Sequence, residues 1–62
     1  MNVYRITYKR NQTELPSSVK ADGYRVNGRF FDFYVIPEDS IAEVFASISS
    51  DLVAYVSMES SP

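Results

Sequence analysis

The amino-acid sequence predicts one small domain built mainly of β-strands. The strongest observation is Asn27-Gly28, which stands between two apolar, aromatic-rich runs, a pattern typical of a tight β-hairpin. A second is the alternation along residues 3–10, where Tyr4, Ile6 and Tyr8 share one side and polar residues take the other. The third is the length of 62 residues, which is enough for a single domain.

A domain of this length, residues 1–62, has little buried surface with which to stabilise its fold. Such a chain buries only about 60% of the surface that it exposes when unfolded. It has no cysteine for a disulfide, and neither histidine nor cysteine for a zinc site. It does have five tyrosines and four phenylalanines. We therefore expect stability to come from dense aromatic packing or from an oligomer.

Two segments precede the hairpin. Residues 2–10 predict a strand with one buried face and one solvated face. Residues 11–21 are mostly polar and are interrupted by Pro16. This segment predicts a long exposed loop, with Leu15 and Val19 tucked inward.

The hairpin predicts two strands, residues 22–27 and 29–36, with Val26 opposite Arg29 at the turn. Because side chains alternate along a strand, this register also predicts the two faces of the hairpin. Both faces are rich in apolar groups, whereas a domain of this size has one core. One face carries Tyr24, Val26, Phe31, Phe33 and Val35, and the other carries Arg25, Phe30, Asp32, Tyr34 and Ile36.

Residues 37–51 allow two interpretations. Ser40-Ile41-Ala42-Glu43 matches a capping box and apolar residues follow at helical spacing, which favours an α+β fold with a short helix at about 40–49 on a four-stranded antiparallel sheet. In the other interpretation residues 41–48 form a strand, followed by a 3-10 turn at Ser49-Ser50-Asp51. Local propensity slightly favours the helix.

The end of the chain predicts a last strand at 52–58 and a frayed tail at 60–62. The alternation does not decide which side of this strand faces the core. The inward set is either Leu52, Ala54 and Val56, or Val53 and Tyr55.

Three stretches carry a family resemblance that favours the strand at 41–48. They are Ala21-Asp22-Gly23-Tyr24-Arg25-Val26-Asn27-Gly28, the aromatic residues through Phe33-Tyr34, and the run from Phe45 to Val56. In these stretches the chain resembles small uncharacterised proteins of actinobacteria and their phages. Residues 48–53 also resemble the strand, 3-10 turn, strand ending of SH3-like barrels. The resemblance implies a five-stranded SH3-like barrel or curled antiparallel sheet, with strands at about 2–10, 22–27, 29–36, 41–48 and 52–58.

The composition argues against catalysis. No histidine is present to move protons near neutral pH, and no cysteine to act as a nucleophile. The paired carboxylates Glu38-Asp39 follow Pro37 in a predicted turn, where water would solvate them. Two glycines are too few for a glycine-rich phosphate loop. We therefore predict no catalytic residues, no metal site and no cofactor.

Protein binding suits the second hairpin face best. Arg25, Phe30, Tyr34 and Ile36 have the arginine and aromatic content of interface hot spots. We expect a protein partner at these residues, and a homo-oligomer is the alternative occupant. The family resemblance implies a phage or mobile-element accessory factor that modulates a host protein.

Nucleic-acid binding is the second functional hypothesis, because small barrels bind nucleic acids with basic and aromatic residues. Arg5, Lys9 and Arg10 are the candidate contacts. All six basic residues precede residue 30. Two acidic residues lie in the same part of the chain, and the other six acidic residues follow it. The sequence pI of about 4.8 argues against a nucleic-acid partner.

The sequence predicts neither a membrane partner nor export of the protein. No apolar run approaches the roughly 20 residues that a membrane helix needs. The first residues also lack the apolar segment of a signal peptide. We therefore expect a cytoplasmic protein.

Overall fold

The computed structural model of the chain describes residues 1–38 and 40–60, apart from the side chain of Ser60. Within these residues the protein consists of β-strands and one short 3-10 helix, Ser50–Leu52, and contains no α-helix. The mainly β class is confirmed, and the alternative helix at about 40–49 is wrong. The strands are β1 (Asn2–Tyr8), β2 (Ser18–Ala21), β3 (Gly23–Asn27), β4 (Phe30–Val35), β5 (Glu43–Ser49) and β6 (Val53–Ser60).

The strands form two antiparallel sheets of three strands each. The first sheet has the order β2-β1-β6 and the second has the order β3-β4-β5. Within the described residues the strands do not close into a barrel. Of the two forms that were predicted, the small curled sheet is therefore the one that fits.

The strand β2 lies where the sequence predicted the end of a loop at 11–21. It pairs with β1, with Val19 opposite Tyr4, and both Val19 and Ala21 are buried. The prediction was wrong for residues 18–21 because a four-residue strand with two polar side chains shows too short an alternation to recognise. This strand also raises the count from five strands to six.

Asp22 forms the corner at which the chain leaves the first sheet and enters the second. Its backbone N–H donates to the carbonyl of Tyr34 at 2.9 Å. Its side-chain Oδ2 accepts from the backbone N–H of Ile36 at 2.5 Å, and its carbonyl accepts from the amide of Asn2 at 3.3 Å. One residue therefore joins β2 to β3 and also links both sheets around the bend.

The hairpin turn lies one residue later than the sequence predicted. Asn27 pairs with Phe30, so Gly28 and Arg29 form the two-residue loop. Gly28 has φ 62, at the first loop position, where the favoured hairpin turns need a positive φ. Asn27 stays in the strand, and its side chain donates to Asp32 at 3.0 Å. The predicted pairing of Val26 with Arg29 is wrong, but the predicted faces are unchanged because the register moves by an even number of residues.

The core lies between the two sheets and is closed by aromatic rings. Phe33 of β4 is fully buried, and the ring of Tyr24 lies 5.6 Å from it, centroid to centroid. Tyr24 also meets Tyr4 edge-on at 5.3 Å and Phe31 at 5.9 Å. The aromatic packing expected from the composition is therefore present. The buried apolar residues are Tyr4, Ile6, Val19, Ala21, Phe33, Ile48 and Val53.

Bulges change which residues of β5 and β6 face the core. In β5 the register shifts between Phe33 and Tyr34, which leaves Phe45 without a direct partner. In β6 a similar shift leaves Ala54 without one, so Val53 is buried and Val56 is half-buried. Neither inward set predicted for the last strand is therefore right, because a bulge interrupts strict alternation.

The link from β5 to β6 is the predicted 3-10 turn, displaced by one residue. The hydroxyl of Ser49 accepts from the backbone N–H of Asp51 at 3.4 Å and caps the turn. The backbone N–H of Ser50 donates to the carbonyl of Arg29 at 2.7 Å, which fixes the hairpin tip beside it. The strand β6 includes Ser60, so the predicted tail at 60–62 is wrong there, and residues 61–62 lie outside the described part.

Candidate functional site

The pairing of β3 with β4 brings three of the predicted interface residues to one face of the second sheet. Arg25 lies opposite Asp32, and Phe30 and Tyr34 lie two positions before and after Asp32 on β4. The alternate residues, including Phe31 and Phe33, point to the core. We call the surface with Arg25, Phe30, Asp32 and Tyr34 the outer face.

Exposure differs among the four predicted interface residues. Phe30 is 47% exposed, and Ile36, just after the end of β4, is 53% exposed. Arg25 is exposed, and its side chain makes no hydrogen bond with any residue that the structure describes. Tyr34 is half-buried. The structure thus leaves a guanidinium and two apolar side chains open to solvent near one sheet surface.

Tyr34 is half-buried because its ring covers Gly23, its cross-strand neighbour on β3. A Cβ atom at Gly23 would lie 2.4 Å from the hydroxyl of Tyr34 and 2.6 Å from Cζ. The ring therefore packs on the backbone of β3, and only glycine leaves room for it. This contact places the ring over the backbone of β3, next to the corner at Asp22.

Asp32 is a feature that the sequence analysis placed on this face without assigning it a role. Its carboxylate is on the outer face but the residue is only 5% exposed. Oδ1 accepts from the hydroxyl of Ser47 at 2.7 Å, and Oδ2 accepts from the amide of Asn27 at 3.0 Å. The hydrogen bond from Ser47, then that from Asn27, hold the pKa of Asp32 below its ordinary value. The outer face therefore contains a fixed anion beneath its apolar residues.

The structure extends the apolar surface onto β5. Val44 pairs with Tyr34 and is 43% exposed, and the bulged Phe45 is 51% exposed. The sequence analysis missed both, because a helix or a regular strand would have turned Val44 inward. The bulge turns Val44 to the surface, and a sequence pattern alone does not locate it.

The residues predicted to contact nucleic acid lie near acidic residues. Arg5 lies on the solvated side of the first sheet and forms an ion pair with Glu59 of β6. Lys9 and Arg10 follow β1 and line a shallow cavity of about 310 Å³ with Gln12, Asp51 and Leu52. Each basic group therefore has a carboxylate nearby, Glu59 or Asp51, which weakens its attraction for phosphate.

The charge asymmetry of the sequence is reduced by the fold. The early Arg5 meets the late Glu59 across β1 and β6, and the early Arg25 lies opposite the late Asp32. At these two places an acidic residue from the second half of the chain lies beside a basic residue from the first half.

The described residues contain no group of three or more aspartate, glutamate, cysteine or histidine side chains that would hold a metal ion. The acidic pair Glu38-Asp39 lies only partly in this region, because Asp39 is outside the described residues. No helix in the described ranges has both the length and the hydropathy to cross a lipid bilayer.

The whole chain was compared with models of known protein families, with curated proteins and with solved structures, and none of them matches. The outer face must therefore be interpreted from its own chemistry.

Proposed function

We propose that the protein is a non-catalytic binding module and that its outer face docks another protein. The observation that carries this proposal is that Arg25 and Phe30 are open to solvent on the outer face, and that Ile36 is open to solvent just after the end of β4. Exposed apolar groups around an arginine are typical of protein interfaces rather than of a solvated surface.

The chemistry of the face indicates what the partner offers. The Arg25 guanidinium has five N–H donors and no hydrogen-bonded acceptor among the described residues, so it suits a carboxylate or an aromatic ring of the partner. Phe30 and Ile36 suit an apolar side chain. Asp32 already accepts two hydrogen bonds and orders the surface around Arg25.

The finer proposal follows from the family resemblance. The protein is then an SH3-like accessory factor of a phage or mobile element that modulates a host protein, in the cytoplasm. The arrangement of the strands supports the SH3-like part, since a 3-10 helix links the last strand of one sheet to an edge of the other. The biological part rests on the resemblance alone.

The first experiment is a tagged pull-down from a bacterial lysate, with and without nuclease, followed by a comparison of variants against the captured species. The test variant combines Arg25→Glu with Phe30→Ala. The matched control combines Lys20→Glu with Tyr55→Ala, the same kinds of change on exposed residues of the first sheet. We expect the test variant to weaken binding at least about tenfold and the control to bind normally.

Far-UV circular dichroism must be unchanged in both variants for the comparison to be valid. Normal binding by a folded test variant would refute the assignment of the outer face. Capture that disappears with nuclease, and that falls steeply with salt and with loss of Arg5, Lys9 and Arg10, would instead support the nucleic-acid hypothesis.

A further inference from the structure

A cavity of about 310 Å³ lies where the end of β1 meets the 3-10 helix Ser50–Leu52. The backbone N–H of Lys9 donates to the carbonyl of Leu52 at 2.9 Å, so a hydrogen bond joins the two segments directly. The volume is at the small end of the range of ligand-binding sites, which is about 300–1,000 Å³. None of the outer-face residues lines the cavity, so a role for it is independent of the protein interface proposed above.

The loop that follows β1 contributes Gln12 to the wall of the cavity, and this residue is half-buried. The hydroxyl of Tyr8 donates to the carbonyl of Pro16 at 2.6 Å. The backbone N–H of Ile6 donates to the carbonyl of Ser17 at 2.9 Å. Both hydrogen bonds tie the end of the loop back to β1, so the path of the loop beside the cavity is fixed at each end.

Opposite charges line the cavity without pairing with each other. Lys9 and Arg10 contribute cations, and Asp51 contributes a carboxylate. Among the described residues the ion pair is that of Arg5 with Glu59, and none joins Asp51 to either cation of the cavity. The side chains of these three lining residues also make no hydrogen bond with any described residue. Their hydrogen-bonding capacity is therefore open to a ligand.

This combination of charges favours a ligand that carries both signs. A phosphate or another simple anion would be repelled by the carboxylate of Asp51, and a simple cation would be repelled by Lys9 and Arg10. A zwitterion avoids both penalties, because its anionic group accepts from the cations while its cationic group donates to the carboxylate. Leu52, which is 37% exposed, adds apolar surface to the same cavity.

We propose that the cavity binds a small zwitterion, a free α-amino acid with an aliphatic side chain. The carboxylate of the ligand lies against Lys9 and Arg10, its ammonium group lies against Asp51, and its side chain lies against Leu52. Binding is reversible and involves no covalent step. Water weakens ion pairs between exposed groups, so we expect a dissociation constant of about 1 mM.

Titration of the isotope-labelled full chain with L-leucine, followed by NMR shifts of the backbone amides, tests this proposal. Two analogues each lack one charge of leucine at neutral pH. Isocaproate has no ammonium group, and isoamylamine has no carboxylate. We expect leucine to shift the amides of Arg10 and Leu52 to saturation. Each analogue should bind at least about tenfold more weakly, because it loses one charge-assisted contact and meets one repelling charge.

Two variants locate the charges that the ligand meets. Asp51→Asn should weaken the binding of leucine about tenfold and strengthen that of isocaproate, because the charge that repels an anion is gone. The matched control, Glu14→Gln, changes an exposed loop carboxyl in the same way and should alter neither. Arg10→Gln should weaken the binding of both ligands, whereas its control, Lys20→Gln on the first sheet, should leave both unchanged.

The comparison of ligands uses the parent protein, so it decides the proposal even where a variant fails to fold. Binding of either analogue as tight as that of leucine would overturn the proposal, because one charge would then be sufficient. A lack of saturable shifts up to the solubility limit of leucine would also overturn it. So would unchanged leucine binding by Asp51→Asn with a native spectrum.

Discussion

At the scale of single residues, the fold depends on positions that require one particular type of residue. Gly28 adopts φ 62 in open space, with no heavy atom within 4 Å of the place where a Cβ would lie. Its requirement is therefore purely conformational. Asp32, by contrast, depends on its two hydrogen-bond donors, Ser47 and Asn27.

Replacing Gly28 by alanine should destabilise the protein by about 1–2 kcal/mol, because an L-residue is strained at positive φ. The neighbouring change Arg29→Ala serves as the control and should cost less than about 0.5 kcal/mol, since that side chain is exposed. Urea unfolding measures both. Equal stability of the two variants would contradict the assignment of the turn.

The lowered pKa of Asp32 predicts a dependence of stability on pH. A carboxyl whose folded pKa is below its unfolded value stabilises the fold above the unfolded pKa, and this contribution is lost as the pH falls through the folded pKa. The loss should therefore begin near the ordinary value of 3.8 and continue below it. Unfolding in urea across the acid range should show a shallower decline for Asp32→Asn than for the parent protein. The control Glu14→Gln, at an exposed loop carboxyl, should follow the parent curve.

At the scale of elements, the contact between Tyr34 and Gly23 joins β3 to β4 on the outer face. Gly23→Ala places a Cβ atom within 2.6 Å of the tyrosine ring, so the ring must leave β3. We expect a loss of about 1–3 kcal/mol in stability and altered NMR shifts of the Tyr34 ring. In a Tyr34→Ala background the same change should cost much less, because the obstacle is gone. An equal cost in both backgrounds would mean that the ring does not cover Gly23.

The bulges are the other decisive feature at this scale. Each one adds a residue to an edge strand and changes the alternation beyond it. The added residues are Phe45 in β5 and Ala54 and Glu59 in β6. As a result Val44 is half-exposed although Ile48 of the same strand is buried. The exposure of Val44 beside the outer face is a consequence of this single added residue.

At the scale of the whole molecule, the two faces of the hairpin have different roles. Phe33 is fully buried between the sheets, whereas Phe30 is 47% exposed on the outer face. Phe33→Ala should therefore cost about 3–5 kcal/mol. This loss is comparable to the whole stability of a small domain, so the variant should be largely unfolded by circular dichroism. Phe30→Ala should remain folded with a similar thermal midpoint. If both variants unfolded, Phe30 would be part of the core and not of a binding surface.

The local pattern of the sequence was sufficient for the mainly β class, the first strand, the hairpin and the composition of its two faces. These depend on alternation and on the needs of a tight turn, which neighbouring residues determine. Aromatic packing in the core was also predictable, because nine of the 62 residues are phenylalanine or tyrosine. The residues Arg25, Phe30 and Tyr34 were placed on one face for the same reason.

Only the tertiary structure decided which hairpin face is covered, since that depends on the first sheet packing against Phe33 and its neighbours. It also decided the strand Ser18–Ala21, the corner at Asp22 and the choice of strand over helix for Glu43–Ser49. Each of these is stabilised by partners distant in the chain, such as the pairing of Val19 with Tyr4. Local propensity is weaker than such long-range pairing, and therefore the cavity that Lys9 and Arg10 line with Asp51 was beyond what the sequence alone could reveal.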